Sequence, residues 1–348
     1  MQRRIEYMDA LRVVSALSVV LIHAVNPVTF SYGQVPVGIW VLSSVLNVMG
    51  RASVPLFVML SGALLLHPSR QAEPASVMFK KRLVRIITLY FVWSAIYFVW
   101  RAFGLHESLT SQSILTDFLA GTAGEQLYFL PIIAGLYVAT PLLRAAVWSL
   151  PLRQVSRYTV VFMGIAAASW LIGSLPGHAP SFNIVNQFVP FVGYYLLGFV
   201  LTQTSYRPSP RTMWNMYIAG VVLPAMLTLL FVSRTIPVYS PYFLYDFINP
   251  LIVMQAIGAW FIVQRYYSRL SRPHDRLTRV VGYLAGATLS LYVTHIIVLQ
   301  FFASYIIRFP AVQHPLLYLC LQVGIAGPLA MLTAVLVKHL PLAKRLVT

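Results

Sequence analysis

The chain has little charge. Only 9% of its 348 residues are Asp, Glu, Lys or Arg, against about 25% in soluble globular proteins, and 59% are apolar. This excludes a water-soluble fold and points to an all-α, polytopic membrane protein, in which length does not translate into a number of soluble domains. Cysteine is limited to Cys320, which excludes an internal disulfide and any cysteine-rich metal site; no metal is expected. There is no Walker loop, no dinucleotide glycine fingerprint, no HExxH and no GxSxG elbow, so the chain brings no nucleotide-hydrolysing engine of its own. Repeats at a fixed period, low-complexity tracts and long linkers are also missing. The N-terminal arginines and the apolar stretch after them have the look of a signal peptide, but Arg12 interrupts the stretch and no small-residue cleavage site follows. It reads as an uncleaved first span.

What is present is a succession of apolar stretches long enough to span a bilayer. They fall at 9–28, 38–66, 83–101, 125–143, 156–174, 184–203, 212–232, 247–264, 282–304 and 315–337, giving a bundle of about ten transmembrane helices. The second is too long for one straight span, and Pro55 is expected to break it. Basic residues orient the bundle. With the N-terminus in the cytoplasm, Arg3, Arg4, Arg70, Lys80, Lys81, Arg82, Arg85, Arg144, Arg153, Arg157, Arg207, Arg211, Arg265, Arg269, Arg272, Arg276, Arg279, Lys338, Lys344 and Arg345 fall inside, 20 in all. Only Arg101, Arg234 and Arg308 fall outside, while Arg12 and Arg51 remain in the membrane. Both termini are therefore expected to be cytoplasmic. The net charge of +17 is accounted for by orientation and needs no nucleic-acid partner. Residues 1–348 are expected to form one transmembrane domain with no appended soluble domain.

Ionisable side chains inside such spans cost about 3 kcal/mol each on insertion scales, so they mark function by default. The first span, DALRVVSALSVVLIHAVN, holds three. Asp9 and Arg12 are three apart and can pair on one face. His23 is eleven residues beyond Arg12, which returns to nearly the same face about 16 Å further along the axis. In the ninth span His295 lies about 13 residues from the inner end of 282–304, a depth of about 20 Å that matches His23. Arg51 lies just before the Pro55 break, where irregular backbone is tolerated if it is buried or lines a cavity. Ser61-Gly62 allows a close helix approach. Arg82 and Arg85, three apart at what the sequence suggests is a helix start, present guanidinium forks suited to a phosphate; positive-inside bias alone also explains them. Glu125, at the outer end of the fourth span, is either a helper to an imidazole or a first-turn acid favoured by the helix dipole. Asp117, Asp246 and His178 fall in outer loops.

Taken together, DALRVVSALSVVLIHA with its Arg12-x10-His23 spacing, RASVPLFVMLSGALLL, the Arg82-x2-Arg85 pair, LYFLPIIAGLYVATPLL and LSLYVTHIIV resemble the membrane-bound acyltransferase-3 family over nearly the whole chain. The similarity is greatest to stand-alone members of the enterobacterial common antigen O-acetyltransferase type. Two positions depart from the family pattern. Tyr128 stands where a tryptophan is frequent, and Ala63 where an aromatic often follows Ser-Gly. The resemblance implies a multi-pass protein of the bacterial inner membrane that takes an acyl group, usually acetyl, from cytoplasmic acyl-CoA. The acceptor it implies is a hydroxyl of a cell-surface polysaccharide or its lipid-linked precursor. It makes His23 catalytic, Arg12 essential, and Arg82 with Arg85 a contact for CoA phosphates. Arg12 paired with Asp9 would orient the first span and the cofactor. Glu125 and His295 would assist His23, and Arg51 would touch the cofactor or stabilise an oxyanion. A transporter or flippase for an anionic glycolipid would also use a broken second span and intramembrane arginines, but it leaves the histidine spacing of the first span unexplained.

Overall fold

The computed structural model describes residues 6–70, 73–176, 187–234, 238, 240–271 and 275–339. Arg3, Arg4, His178, Arg272, Lys344 and Arg345 lie outside the described residues. The described chain is helical throughout, with no strand. In order the helices are α1 (Glu6–Thr29), α2 (Val37–Gly50), α3 (Ser53–Leu65), α4 (Ala75–Gly104), α5 (Ser111–Ala120), α6 (Phe129–Ser149), α7 (Leu152–Gly173), α8 (Val189–Gln203), α9 (Pro210–Arg234), α10 (Pro250–Leu270), α11 (Arg276–Ala285), α12 (Thr288–Ile307) and α13 (Pro315–His339). Among the described residues nine helices are long and apolar enough to cross a bilayer, with α2 and α3 forming one of them and a turn at Pro241–Tyr245 extending α10. The sixth expected span, 184–203, corresponds to the shorter α8.

The described residues form two compact units. The first comprises 6–56, 174–176 and 206–339. Its centre is α1, which packs against α2, α10, α11, α12 and α13. The hydrophobic stretch of α1 is 67% buried; a helix surrounded by other helices is apolar all round, as Leu11, Val20, Val25 and Val28 make this one. Glu6 and Asp9 sit in its first turn, where the helix dipole favours acids. α9 packs against α2 and α10 on the outside of this arrangement.

The second unit comprises 57–173 and 187–205. Here α4 packs against α6, and α7 against α8. The remainder of α3 crosses α8 at very close range. A Cβ on Gly62 would lie 1.8 Å from the Tyr195 carbonyl oxygen, and one on Gly198 would lie 1.8 Å from that of Met59. Two glycines facing two backbones let the helices touch main chain to main chain, so Ser61-Gly62 is a packing device.

Three sequence expectations need correction. α4 begins at Ala75, behind Pro74 in an extended conformation, so Arg82 and Arg85 lie about two turns inside the helix and not at its start. Arg82 sits in a π-turn, Phe79–Leu83. The ninth span does not begin at 282, because a turn at Gly286-Ala287 separates the amphipathic α11 from α12. Asp275 caps α11 by accepting the Thr278 amide at 2.7 Å. Lastly, α6 begins at Phe129, so Glu125 is not a first-turn acid. Tight turns precede the helix, and the neighbouring Gln126 donates to the Tyr97 hydroxyl at 2.6 Å, tying that segment to α4.

Candidate active site

One stripe of α1 carries the expected residues. Arg12 donates to Asp9 at 2.8 Å. Asp9 is buried and Arg12 half-exposed, so the pair holds one desolvated carboxylate with a charge-assisted hydrogen bond. Further along, the His23 ring faces His295 of α12 with centroids 5.3 Å apart and planes tilted by 53°. His295 is fully buried, and its Nδ1–H donates to the Leu291 carbonyl at 3.0 Å. A carbonyl can only accept, so this bond fixes the neutral tautomer and leaves Nε2 as the lone-pair nitrogen. That nitrogen is buried without a hydrogen-bond partner among the described residues, an arrangement rare enough to call for a functional explanation. His295 is only seven residues into α12, since Thr288 starts the helix. The two rings expected at a similar depth are neighbours, although His295 lies fewer residues into its helix than 282–304 implies.

Arg51 sits where the backbone changes course between α2 and α3. The Arg51 amide bonds the Val48 carbonyl at 3.0 Å, and Leu56 bonds Ala52. Pro55 has no N–H to offer the Arg51 carbonyl, so the helix breaks there. Two carbonyls at the end of α2, Val48 and Met49, also receive the Gln255 side-chain amide of α10 at 2.8 and 3.2 Å. Arg51 Nε donates to Asn47 Oδ1 at 2.8 Å, and Asn47 Nδ2 donates to Asn26 Oδ1 at 2.7 Å. Asn26 is three residues past His23 on α1. A polar chain therefore runs from the break to the turn above His23. The guanidinium lies 5.6 Å from the Tyr245 ring centroid and 5.3 Å from that of Phe247, within cation–π range.

Arg82, Arg85 and Glu125 belong to the second unit. Arg82 lies 3.8 Å from Glu73, and that carboxylate also accepts from Arg144 at 2.8 Å. Arg144 Nε and Trp148 Nε1, both on α6, donate to the Leu65 and Leu66 carbonyls at 2.7 and 3.0 Å. These bonds satisfy carbonyls that the end of α3 leaves open. Glu125 is exposed in the turn before α6. Asp117 is bound to Arg101 at 2.7 Å, and Arg101 also holds Glu107 at 2.8 Å. This ion-pair cluster accounts for Asp117 structurally. Among the described residues no group of three or more His, Cys, Asp or Glu side chains could hold a metal ion.

A break, an Asp9–Arg12 charge pair and facing histidines on apolar helices fit the family that the motifs suggested. The sequence profile of Acyl_transf_3, described as an acyltransferase domain, matches residues 5–337. The chain belongs to the acyltransferase-3 family. It is a multi-pass membrane acyltransferase. No curated protein and no solved structure matches it.

In each unit of this acyltransferase there are polar residues bonded to the expected side chains or helix ends that the sequence does not single out. Asn26, Asn47 and Gln255 are amides inside apolar stretches, a signal that was visible but carries no formal charge. Arg144, one of the basic residues expected to mark the cytoplasmic side, is buried. Glu73 is one of only eight acids and stands a few residues before the basic cluster at 80–85. That proximity was its only signal.

Proposed function

We propose that this acyltransferase is an O-acetyltransferase that moves an acetyl group from cytoplasmic acetyl-CoA to a hydroxyl of a cell-surface polysaccharide or its lipid-linked precursor in the bacterial inner membrane. The facing His23 and His295 rings carry this reading. His23 accepts the proton of the acceptor hydroxyl while the oxygen attacks the thioester carbonyl. The tetrahedral intermediate then collapses, the C–S bond breaks, and the CoA thiolate takes up the proton from the imidazolium. General-base catalysis of this kind supplies about 10²–10⁴-fold. The His295 tautomer supports it: a lone-pair nitrogen beside His23 orients an N–H or O–H at the reaction centre. Arg12, held by Asp9, fixes the lower part of the stripe. Arg51, steered by Asn47, is suited to a polar group of the acceptor or to the developing oxyanion. Arg82 and Arg85 offer guanidinium forks to CoA phosphates, and Glu125 is an acid on the exposed turn before α6. With both termini cytoplasmic, His23 lies in the outer half of the bundle, where donor and acceptor would meet.

The test is transfer of label from radiolabelled acetyl-CoA to lipid-linked glycan by the purified protein in nanodiscs. Wild type is expected to label the glycan, and His23→Ala to lose at least about a hundredfold of that rate while remaining monodisperse. Near-normal transfer by a folded His23→Ala protein would overturn the assignment.

A further inference from the structure

The second unit holds an arginine that neither the motifs nor the family match assigns. The Arg144 side chain is 5% exposed. It donates Nε to the Leu65 carbonyl at 2.7 Å, Nη1 to the Glu73 carbonyl at 3.4 Å and Nη2 to the Glu73 carboxylate at 2.8 Å. A buried guanidinium needs a counter-charge, since removing one partner of a buried pair leaves the other uncompensated. Glu73 provides it. The same carboxylate lies 3.8 Å from Arg82, beyond hydrogen-bond range, so it neutralises Arg144 fully and Arg82 only in part. Arg82 is a third exposed and sits in the π-turn Phe79–Leu83, a distortion frequent at functional sites. Lys80, Lys81 and Arg85 flank it, and Glu73 is the one acid that the described ion pairs bring to this cluster. A single carboxylate lies between two guanidiniums, bonded closely to one at 2.8 Å and held loosely by the other at 3.8 Å, and carries one charge against their two. A phosphate, with three terminal oxygens and up to two charges, suits both.

We propose that Glu73 holds the place of a phosphate group between Arg82 and Arg144, and that a phosphate of the acyl donor displaces it on binding. The inference rests on acyl-CoA being the donor. Glu73 stabilises the empty site and opposes the ligand, and Arg144 joins Arg82 as a phosphate contact. The experiment is calorimetric binding of CoA, and of S-acetylpantetheine as a phosphate-free probe, to full-length wild type and Glu73→Gln in nanodiscs. Gln keeps the side-chain shape and an acceptor for Arg144 but removes the charge. CoA is expected to bind Glu73→Gln about tenfold more tightly than wild type, with no gain for S-acetylpantetheine. A purely structural Glu73 predicts unchanged or weaker CoA binding together with a lower melting temperature, and that result would overturn this inference alone. An equal gain for both probes would also overturn it. If neither protein bound CoA, the donor assignment would fall, and this inference with it.

Discussion

The two histidines make the account's sharpest claim at the scale of single residues. His295 presents one nitrogen to a carbonyl and keeps the other buried without a partner, and its ring is 5.3 Å from that of His23. Residues acting as one unit give strongly non-additive losses when removed. His23→Ala and His295→Ala are therefore expected each to lower turnover severely, and the double variant to be no slower than the slower single variant. Initial rates at saturating acetyl-CoA check this, with the KM for acetyl-CoA staying within about threefold for His295→Ala if the residue acts on the chemical step. Multiplicative losses would mean that the rings are neighbours without a shared task. Much of this centre was legible in the sequence, because ionisable residues stand out against an apolar background. Asp9, Arg12, His23, Arg51 and His295 all announce themselves in that way. Asn26 and Asn47 did not, since an amide adds no charge and its importance lies in the chain of bonds it completes.

At the scale of elements, broken and closely crossed helices organise the molecule. The end of α2 is capped by Gln255, and the end of α3 by Arg144 and Trp148. In each unit the end of a helix borrows donors from a neighbour, which satisfies carbonyls that a helix terminus leaves open. The crossing of α3 and α8 depends on two absent methyl groups. Gly62→Ala or Gly198→Ala would place a carbon 1.8 Å from a backbone oxygen, which only separation of the helices can relieve. Overpacking of this kind costs about 1–3 kcal/mol or more. Each variant is expected to lower the melting temperature in detergent clearly or to abolish folded expression, whereas Gly164→Ala, with nothing near its Cβ, should melt like wild type. Helix positions were legible from hydropathy, but helix ends were not. Pro74 starts α4 well ahead of the apolar run, and Gly286-Ala287 cuts α11 from α12 inside a stretch that reads as one span. Both are decided by local backbone geometry and capping, which an average over apolarity passes over. For the same reason the Arg82 and Arg85 pair looked like a helix N-terminus and is not one.

For the whole molecule, the arginine and lysine distribution predicts both termini in the cytoplasm, with the basic cluster of α4 on that side. Because Cys320 is the only cysteine, a Cys320→Ser protein is a clean background for single-cysteine labelling in intact cells. A cysteine at Ser108, in the loop before α5, is expected to react with a membrane-impermeant maleimide, and one at Ser209, before α9, to react only after permeabilisation. The opposite pattern would invert the topology and with it the assignment of donor and acceptor sides. That sidedness is also the core of the proposed reaction, which carries acetyl from CoA on one face to a hydroxyl presented at the other. It is tested most directly in sealed inverted membrane vesicles, where the cytoplasmic face points outward, by adding radiolabelled acetyl-CoA to the outside and measuring acetylated glycan in the lumen. The account predicts luminal labelled glycan with wild-type protein and none above background with His23→Ala. Labelling that required acetyl-CoA in the lumen, or that persisted in the His23→Ala vesicles, would contradict it.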